Sequence, residues 1–125
     1  GPPSTAVASA HARLIEAVQG AMDLARPGVT AADLFHAMDK VVTGGRGGSE
    51  AGRLGHGLGL QLTEGLSLIP DDHSVLQPGM VLTLEPGIET GPGCIMVHEE
   101  NIVIREEGAA FLSRPSGPDI MVLER

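Results

Sequence analysis

The chain has 125 residues, of which 42% are hydrophobic and 19% charged, as expected for one globular domain with a single core. Its net charge of −8 would repel a phosphate backbone, and 2% aromatic residues leave few rings for base stacking, so we expect no nucleic-acid partner. No apolar run reaches the roughly 20 residues that span a bilayer, which excludes a membrane-spanning helix on the sequence. The single cysteine, Cys94, permits no internal disulfide and favours a reducing, cytoplasmic location.

Two amphipathic helices are predicted in the first part of the chain. Ser4 or Thr5 can cap the first helix, and Pro27–Gly28 ends it. Thr30 caps the second helix, with Asp33 placed for a capping box. The expected buried stripes are Val7, Leu14, Val18, Ala21 and Ala25 in the first helix and Leu34, Phe35, Met38, Val41 and Val42 in the second.

After a glycine-rich loop, the apolar period changes from helical to about two, which predicts strands. The predicted strands are 57–62, 80–85, 94–108 as one broken strand or two, and 109–114, with turns at 76–80 and 86–93. Helices followed by strands indicate an α+β fold. We therefore expect residues 1–125 to form a single domain in which two helices pack on a mostly antiparallel sheet.

Three polar groups stand on or beside these apolar strands. Glu85 ends the strand in "MVLTLEPG", and Glu100 heads an apolar row in "EENIVI", while Glu99 points the other way. His56 lies in the glycine-rich stretch "GHGLGL". Buried carboxylates need partners, and a divalent metal (Mn, Fe, Co or Zn) would satisfy His56, Glu85 and Glu100 together. The alternative is that both glutamates are solvated strand-end residues and His56 is a hydrogen-bonded loop histidine.

The motifs "GHGLGL", "LQPGMVLTLEPGIE" and "EENIVI" resemble, in order and spacing, those of the pita-bread-fold metallopeptidases. This family includes methionine aminopeptidase, prolidase, aminopeptidase P and creatinase. The resemblance implies that the chain is the C-terminal part of a pita-bread catalytic domain. It also implies that His56, Glu85 and Glu100 are catalytic metal ligands, with Glu100 bridging two divalent metals (Mn, Co, Zn or Fe).

The activity that the resemblance implies is that of a metal-dependent hydrolase of the prolidase and aminopeptidase P group. In such enzymes a metal-activated water attacks an amide bond of a peptide or a small amide. The family's two aspartate ligands lie on strands that precede the first helix of this chain. We therefore expect that this chain alone is inactive, and that it is either a piece cut from a longer protein or completed by a partner chain that supplies the aspartates. A homodimer is the other partner that we expect.

Further departures from the family pattern concern the substrate-binding residues. Thr63 replaces a histidine that peptidase members place seven residues after the metal-ligand histidine, and Gly52 replaces another four residues before it. Arg53 could bind a substrate carboxylate as a fork, or could be a solvated loop residue. His98 could support Glu100, contact the substrate, or be a partly exposed strand residue.

Two alternatives to a peptidase follow from these departures. The same fold hosts creatinase and a lyase of dimethylsulfoniopropionate, so a small non-peptide substrate is the first alternative. The second is an inactive pita-bread module that binds a partner, for which the missing aspartates are the motivation. The three matching ligand positions argue against the second alternative.

Overall fold

The computed structural model describes residues 5–47, 52–58 and 65–112 and the backbone of residues 122–124. Helix α1 spans Thr5–Leu24 and helix α2 spans Ala31–Thr43, which confirms both predicted helices. The predicted cap Ser4 lies outside the described residues. Within this part of the chain, no helix is long and apolar enough to cross a membrane.

The start and end of α2 follow from local chemistry. Thr30 Oγ1 accepts a hydrogen bond from the Asp33 amide at 3.1 Å, and the Asp33 carboxylate accepts one from the Thr30 amide at 3.0 Å, so the predicted capping box is present. At the other end, Gly44 adopts a left-handed conformation with φ of 74°, and its amide bonds to the Asp39 carbonyl. The helix is therefore stopped at both ends by residues that satisfy its free backbone groups.

In the described ranges, six strands form two three-stranded antiparallel sheets. The first sheet has the order β1, β4, β5, which are Val81–Leu84, Glu100–Arg105 and Gly108–Phe111. The second sheet has the order β2, β3, β6, which are Gly87–Gly91, Cys94–Val97 and Val122–Glu124. The predicted α+β class is confirmed. The predicted segment 94–108 is two strands that belong to different sheets.

One part of the strand prediction was wrong, and one strand lies in the tail for which no structure was predicted. Residues 86–93 were expected to form a turn because of their glycines and prolines, but Gly87–Gly91 is strand β2. Gly87 stands opposite Val97 and Ile88 opposite Met96, so the backbone of this glycine-containing segment is satisfied by pairing with β3. Strand β6 was not predicted, because its short segment follows a proline- and glycine-containing stretch.

The core lies between the helices and the sheets. The main cluster joins both helices to the first sheet, and its largest buried side chains include Phe35, Leu34, Met38, Leu82, Leu84, Ile102 and Ile104. A smaller cluster packs Ala10 and Leu14 of α1 against Met96 of the second sheet. Of the predicted helix stripes, Leu14, Val18, Ala21, Ala25, Leu34, Phe35 and Met38 are buried, and Val7, Val41 and Val42 are half-buried.

The chain passes between the two sheets twice, and the two crossings lie side by side. It leaves the first sheet after Leu84 and enters the second at Gly87, and it returns between Val97 and Glu100. The His98 amide donates a hydrogen bond to the Pro86 carbonyl at 3.1 Å, which joins the two crossings. Both crossings carry acidic residues, so the fold itself brings these side chains to one place.

Candidate metal centre

His56 lies on a segment that is held from both sides. On one side, the Thr83 amide donates to the His56 carbonyl at 2.8 Å, and the His56 amide donates to Thr83 Oγ1 at 3.0 Å. On the other side, the Gly57 amide donates to the Leu66 carbonyl at 2.7 Å. The backbone around His56 therefore behaves as an inner strand beside β1, and the predicted strand 57–62 is described only for Gly57 and Leu58.

Gly55 shows why the sequence before His56 is glycine-rich. A Cβ atom at this position would collide with the Thr83 carbonyl oxygen and with Leu68 Cδ1. A residue without a side chain is thus required for the His56 segment to approach β1 this closely. The glycine is part of what places the imidazole beside the end of β1.

The His56 imidazole contacts the Glu85 carboxylate directly. His56 Nε2 lies 3.2 Å from Glu85 Oε1, and about a quarter of each side chain is exposed (25% and 27%). His56 Nδ1 lies 3.1 Å from the Gly57 carbonyl oxygen. A carbonyl oxygen can only accept a hydrogen bond, so this contact requires the proton on Nδ1.

The tautomer has a chemical consequence for the other ring nitrogen. With the proton on Nδ1, Nε2 of a neutral imidazole carries a lone pair and can only accept a hydrogen bond. The Glu85 carboxylate that it faces can, when ionised, likewise only accept one. Either a second proton or a cation must stand between them. A metal-binding histidine commonly donates its other N–H to a backbone carbonyl, which is the arrangement that Gly57 provides for His56.

The distance between these two atoms fits a shared divalent ion. Nitrogen and oxygen ligands bind such an ion at about 2.0–2.2 Å, so two neighbouring ligands of one tetrahedral ion lie about 3.3–3.6 Å apart. His56 Nε2 and Glu85 Oε1 are 3.2 Å apart. The two side chains can therefore serve as ligands to one ion with little rearrangement.

The structure places the predicted ligand Glu100 on a different face from the pair of His56 and Glu85. It stands directly opposite Leu84, whose side chain is fully buried in the core, and Glu100 itself is only 4% exposed. Its Oε1 lies 3.1 Å from Nε2 of His98. Opposite residues in an antiparallel pair point to the same face, so Glu100 faces the core side, away from Glu85.

Glu99 is the residue that the register brings to Glu85. β1 pairs with β4 from Val81 opposite Val103 to Leu84 opposite Glu100, and the bond from the His98 amide to the Pro86 carbonyl continues this ladder. One step beyond the paired strands, Glu99 stands opposite Glu85, on the opposite face from Glu100. Glu99 is exposed. The sequence carried the signal for this, because the apolar residues Ile102 and Ile104 already assign Glu100 to the core face.

The same face carries a polar atom without a partner. Asn101, which stands opposite Thr83, has a buried Oδ1 with no hydrogen bond from the described residues. Within 5–47, 52–58 and 65–112, no group of three His, Cys, Asp or Glu side chains is arranged to hold a metal ion. This part of the chain thus brings together a pair of donors, His56 and Glu85, and a second carboxylate, Glu99, stands just before β4.

The remaining predicted site residues fall in different places. Arg53 is exposed and lines an open cleft of about 310 Å³ together with Glu85, Asp39 and other residues of α2 and β3. His98 is 7% exposed and packs against Glu100, so it is not placed to contact a substrate on the His56 face. Thr63 lies outside the described residues.

The segment that flanks His56 is fixed by a carboxylate. Asp72 accepts hydrogen bonds from the amides of Ser67 at 2.8 Å and Ser74 at 2.9 Å, and Ser67 forms a bridge with His56. Partial burial raises the pKa of Asp72, but the hydrogen bonds from Ser74 and Ser67 outweigh it, so the net pKa is below the ordinary value of 3.8. Asp72 is therefore ionised at neutral pH and anchors this side of the site.

Several known proteins are similar to this chain in both sequence and fold. The chain is 33% identical over 116 residues to the Xaa-Pro dipeptidase of Pyrococcus furiosus, covering 91% of this chain and 33% of that protein. The structure superposes on the prolidase from Pyrococcus furiosus with a TM-score of 0.81 and 30% identity, over 94% of this chain and 35% of the other. Dipeptidase PepE from Mycobacterium ulcerans gives a TM-score of 0.78 and 36% identity, over 92% and 32%. The chain thus spans about a third of the length of these relatives.

The family model of metallopeptidase family M24 matches residues 1–107. The predicted C-terminal part of a pita-bread fold is confirmed. The two helices and the antiparallel sheets of this chain match about a third of the prolidase chain. The resemblance drawn from the three motifs is confirmed by the same match. This chain belongs to metallopeptidase family M24.

Proposed function

We propose that this chain is the metal-binding C-terminal part of a peptidase that cleaves short Xaa-Pro peptides. The observation that carries the proposal is the pair formed by His56 Nε2 and Glu85 Oε1 at 3.2 Å, with the His56 Nδ1 proton engaged by Gly57. Support for the substrate comes from the relatives, whose names are Xaa-Pro dipeptidase and prolidase. A cytoplasmic location is part of the proposal and rests on the single cysteine of the sequence.

The ligands that this chain would supply are His56, Glu85 and Glu99. Glu99 replaces Glu100 in this set because it stands opposite Glu85 on the continued β1–β4 ladder, whereas Glu100 is buried against His98. The aspartates that the family resemblance implies would come from a part of the protein outside this chain or from a partner chain. A donor set of one imidazole and several carboxylates suits Mn, Fe, Co or Zn, with two ions in the complete site.

The chemistry that divalent ions supply in such a site is polarisation of the scissile carbonyl and activation of a water. The residues of this chain would hold the ions and orient the substrate beside them. With Nδ1 donating to Gly57, the Nε2 lone pair of His56 would be available to an ion shared with Glu85. Arg53 lines the same cleft as Glu85, so its guanidinium can bind the C-terminal carboxylate of a short peptide as a fork.

A small non-peptide substrate is the second candidate. It is favoured by Thr63 and Gly52, which stand where peptidase members of the family carry histidines. Threonine can hydrogen-bond a substrate but does not transfer protons near neutral pH. Such an enzyme would use the same ions for hydrolysis of a creatine-like compound or for an elimination.

The test uses the full-length protein loaded with Mn²⁺ and the dipeptide Ala-Pro as substrate. We expect metal-dependent hydrolysis that is lost in His56→Ala and in Glu85→Ala, while Glu89→Ala, an exposed carboxylate of β2, serves as the matched control and keeps activity. Mn²⁺ binding without turnover of any Xaa-Pro dipeptide would favour the non-peptide substrate. A protein that binds no divalent ion would refute both candidates and favour an inactive module.

A further inference from the structure

The residues on either side of Glu99 form a buried polar pair. His98 Nε2 and Glu100 Oε1 are 3.1 Å apart, and the side chains are only 8% and 4% exposed. Glu99 between them is exposed. The pair lies on the core face, where Leu84 stands opposite Glu100, and not on the face of His56 and Glu85.

The pair connects the place where the chain changes sheets to helix α1. The His98 amide donates to the Pro86 carbonyl at 3.1 Å, which ties it to the crossing that follows Glu85. The ring of His11 in α1 packs edge-on against the His98 ring, with centroids 6.1 Å apart and planes at 78°. Three elements therefore meet at His98: α1, the β1–β2 crossing and the β3–β4 crossing.

Burial of such a pair is poorly explained by stability alone. Removing an imidazole and a carboxylate from water opposes folding, and replacing buried ion pairs by apolar side chains of similar size is often neutral or stabilising. Leu84, which stands opposite Glu100, belongs to the main apolar cluster. A role in fixing one local conformation accounts for its position better than a contribution to stability does.

We propose that His98 and Glu100 are positioning residues that fix the direction of the Glu99 carboxylate. Side chains alternate along an extended chain, so holding both neighbours on the core face directs Glu99 to the opposite face. That face is the one where Glu85 contacts His56. The inference rests on the proposed function, because it assigns these residues to the support of a metal ligand.

The test compares three variants of the full-length protein by calorimetric titration with Mn²⁺ and by urea unfolding of the metal-free form. Glu100→Leu and the double variant His98→Leu/Glu100→Leu remove the pair and retain apolar volume. We expect Mn²⁺ binding to weaken about 10- to 100-fold in both, the usual effect of removing a residue that orients a ligand. In the double variant, where no charge is left unpaired, the unfolding midpoint should not fall.

Glu100→Gln is the conservative variant, because its amide oxygen accepts the same hydrogen bond from His98. We expect it to bind Mn²⁺ within about 3-fold of the unsubstituted protein, well short of the loss expected when the orienting contact is removed. A double variant that folds and binds Mn²⁺ as tightly as the unsubstituted protein would overturn the inference. So would a Glu100→Gln variant that binds as weakly as Glu100→Leu, since that result would assign the carboxylate itself to the metal. A failure of the proposed function is separate, because the unsubstituted protein would then bind no Mn²⁺.

Discussion

Glu85 and Glu99 stand opposite each other where β1 and β4 leave their common sheet, one step beyond the pair formed by Leu84 and Glu100. The carboxylates of such opposite residues lie on one face, and like charges placed there repel unless a cation separates them. His56 already contacts Glu85 on this face. The sheet register thus places a second carboxylate on the face where Glu85 contacts His56.

The first prediction separates Glu99 from Glu100 as a metal ligand. In the full-length protein, Glu99→Ala should weaken Mn²⁺ binding by on the order of 100-fold or more, because a ligand is lost rather than reoriented. The measurement is a calorimetric titration at fixed pH and ionic strength. The control is Glu89→Ala, which removes an exposed carboxylate of β2 and should leave the affinity unchanged. If Glu99→Ala binds normally while Glu100→Gln does not, the buried residue is the ligand after all.

The strand faces around this site could largely be predicted from the sequence. Periodicity correctly assigned Leu82 and Leu84 to one face of β1 and Glu85 to the other. The same periodicity placed Glu100 with Ile102 and Ile104, which are core residues. The family motif, and not this pattern, led to the prediction of Glu100 as a ligand, and the structure places its side chain on the core face.

The sheet crossings could not be predicted because they depend on contacts between distant segments. The bond from the His98 amide to the Pro86 carbonyl joins two turns whose local sequences contain no sign of each other. Similarly, Gly87–Gly91 forms a strand only because β3 lies beside it. Local residue preferences predict a turn there, and pairing with a neighbouring strand overrides them.

The second prediction concerns Gly55. Gly55→Ala should lower the free energy of unfolding by about 2 kcal/mol or more, because the added methyl group would collide with the Thr83 carbonyl and with Leu68. The measurement is urea unfolding followed by circular dichroism. Gly91→Ala is the matched control, since nothing lies within 4 Å of a Cβ at that position, and its unfolding free energy should change by less than about 0.5 kcal/mol. Equal stabilities of the two variants would show that the His56 segment can move away from β1.

The third prediction is a pH dependence that originates at Asp72. The pKa of Asp72 in the folded state is below 3.8, since the hydrogen bonds from Ser74 and Ser67 outweigh the effect of burial. A depressed folded-state pKa stabilises the protein above the unfolded-state pKa, and this stability is lost as the pH falls through the folded-state value. Asp72→Asn should therefore lower the unfolding free energy by about 1 kcal/mol at pH 7 and by less at pH 3. Urea unfolding at both pH values measures this difference.

Asp71 provides the control for this titration, because it is the exposed neighbour of Asp72 in the same turn. Asp71→Asn removes a carboxylate but keeps the bonds from Ser67 and Ser74 to Asp72, so it should change the unfolding free energy at pH 7 by less than about 0.5 kcal/mol. An Asp72→Asn variant with the same acid sensitivity as Asp71→Asn would mean that the bonds to Ser67 and Ser74 contribute nothing to the pH dependence.

The fourth prediction concerns the contact between the two helices. Arg13 of α1 donates from Nη2 to the carbonyls of Val42 at 2.6 Å and Val41 at 3.1 Å, which are among the last carbonyls of α2. A cation at a helix C-terminus interacts favourably with the helix dipole, and the donated bonds satisfy carbonyls that have no partner within the helix. Arg13→Met retains the aliphatic stem and removes the donors, so it should lower the unfolding free energy by about 1 kcal/mol.

Arg26→Met is the matched control, because Arg26 is exposed after the end of α1 and makes no side-chain hydrogen bond to the described part of the chain. It should change the unfolding free energy by less than about 0.5 kcal/mol. The two variants remove the same charge from a chain that is already acidic, so any general effect of net charge is equal in both. A difference between them therefore measures the bonds from Arg13 to the end of α2, and equal values would show that these exposed bonds are exchanged for water without loss of stability.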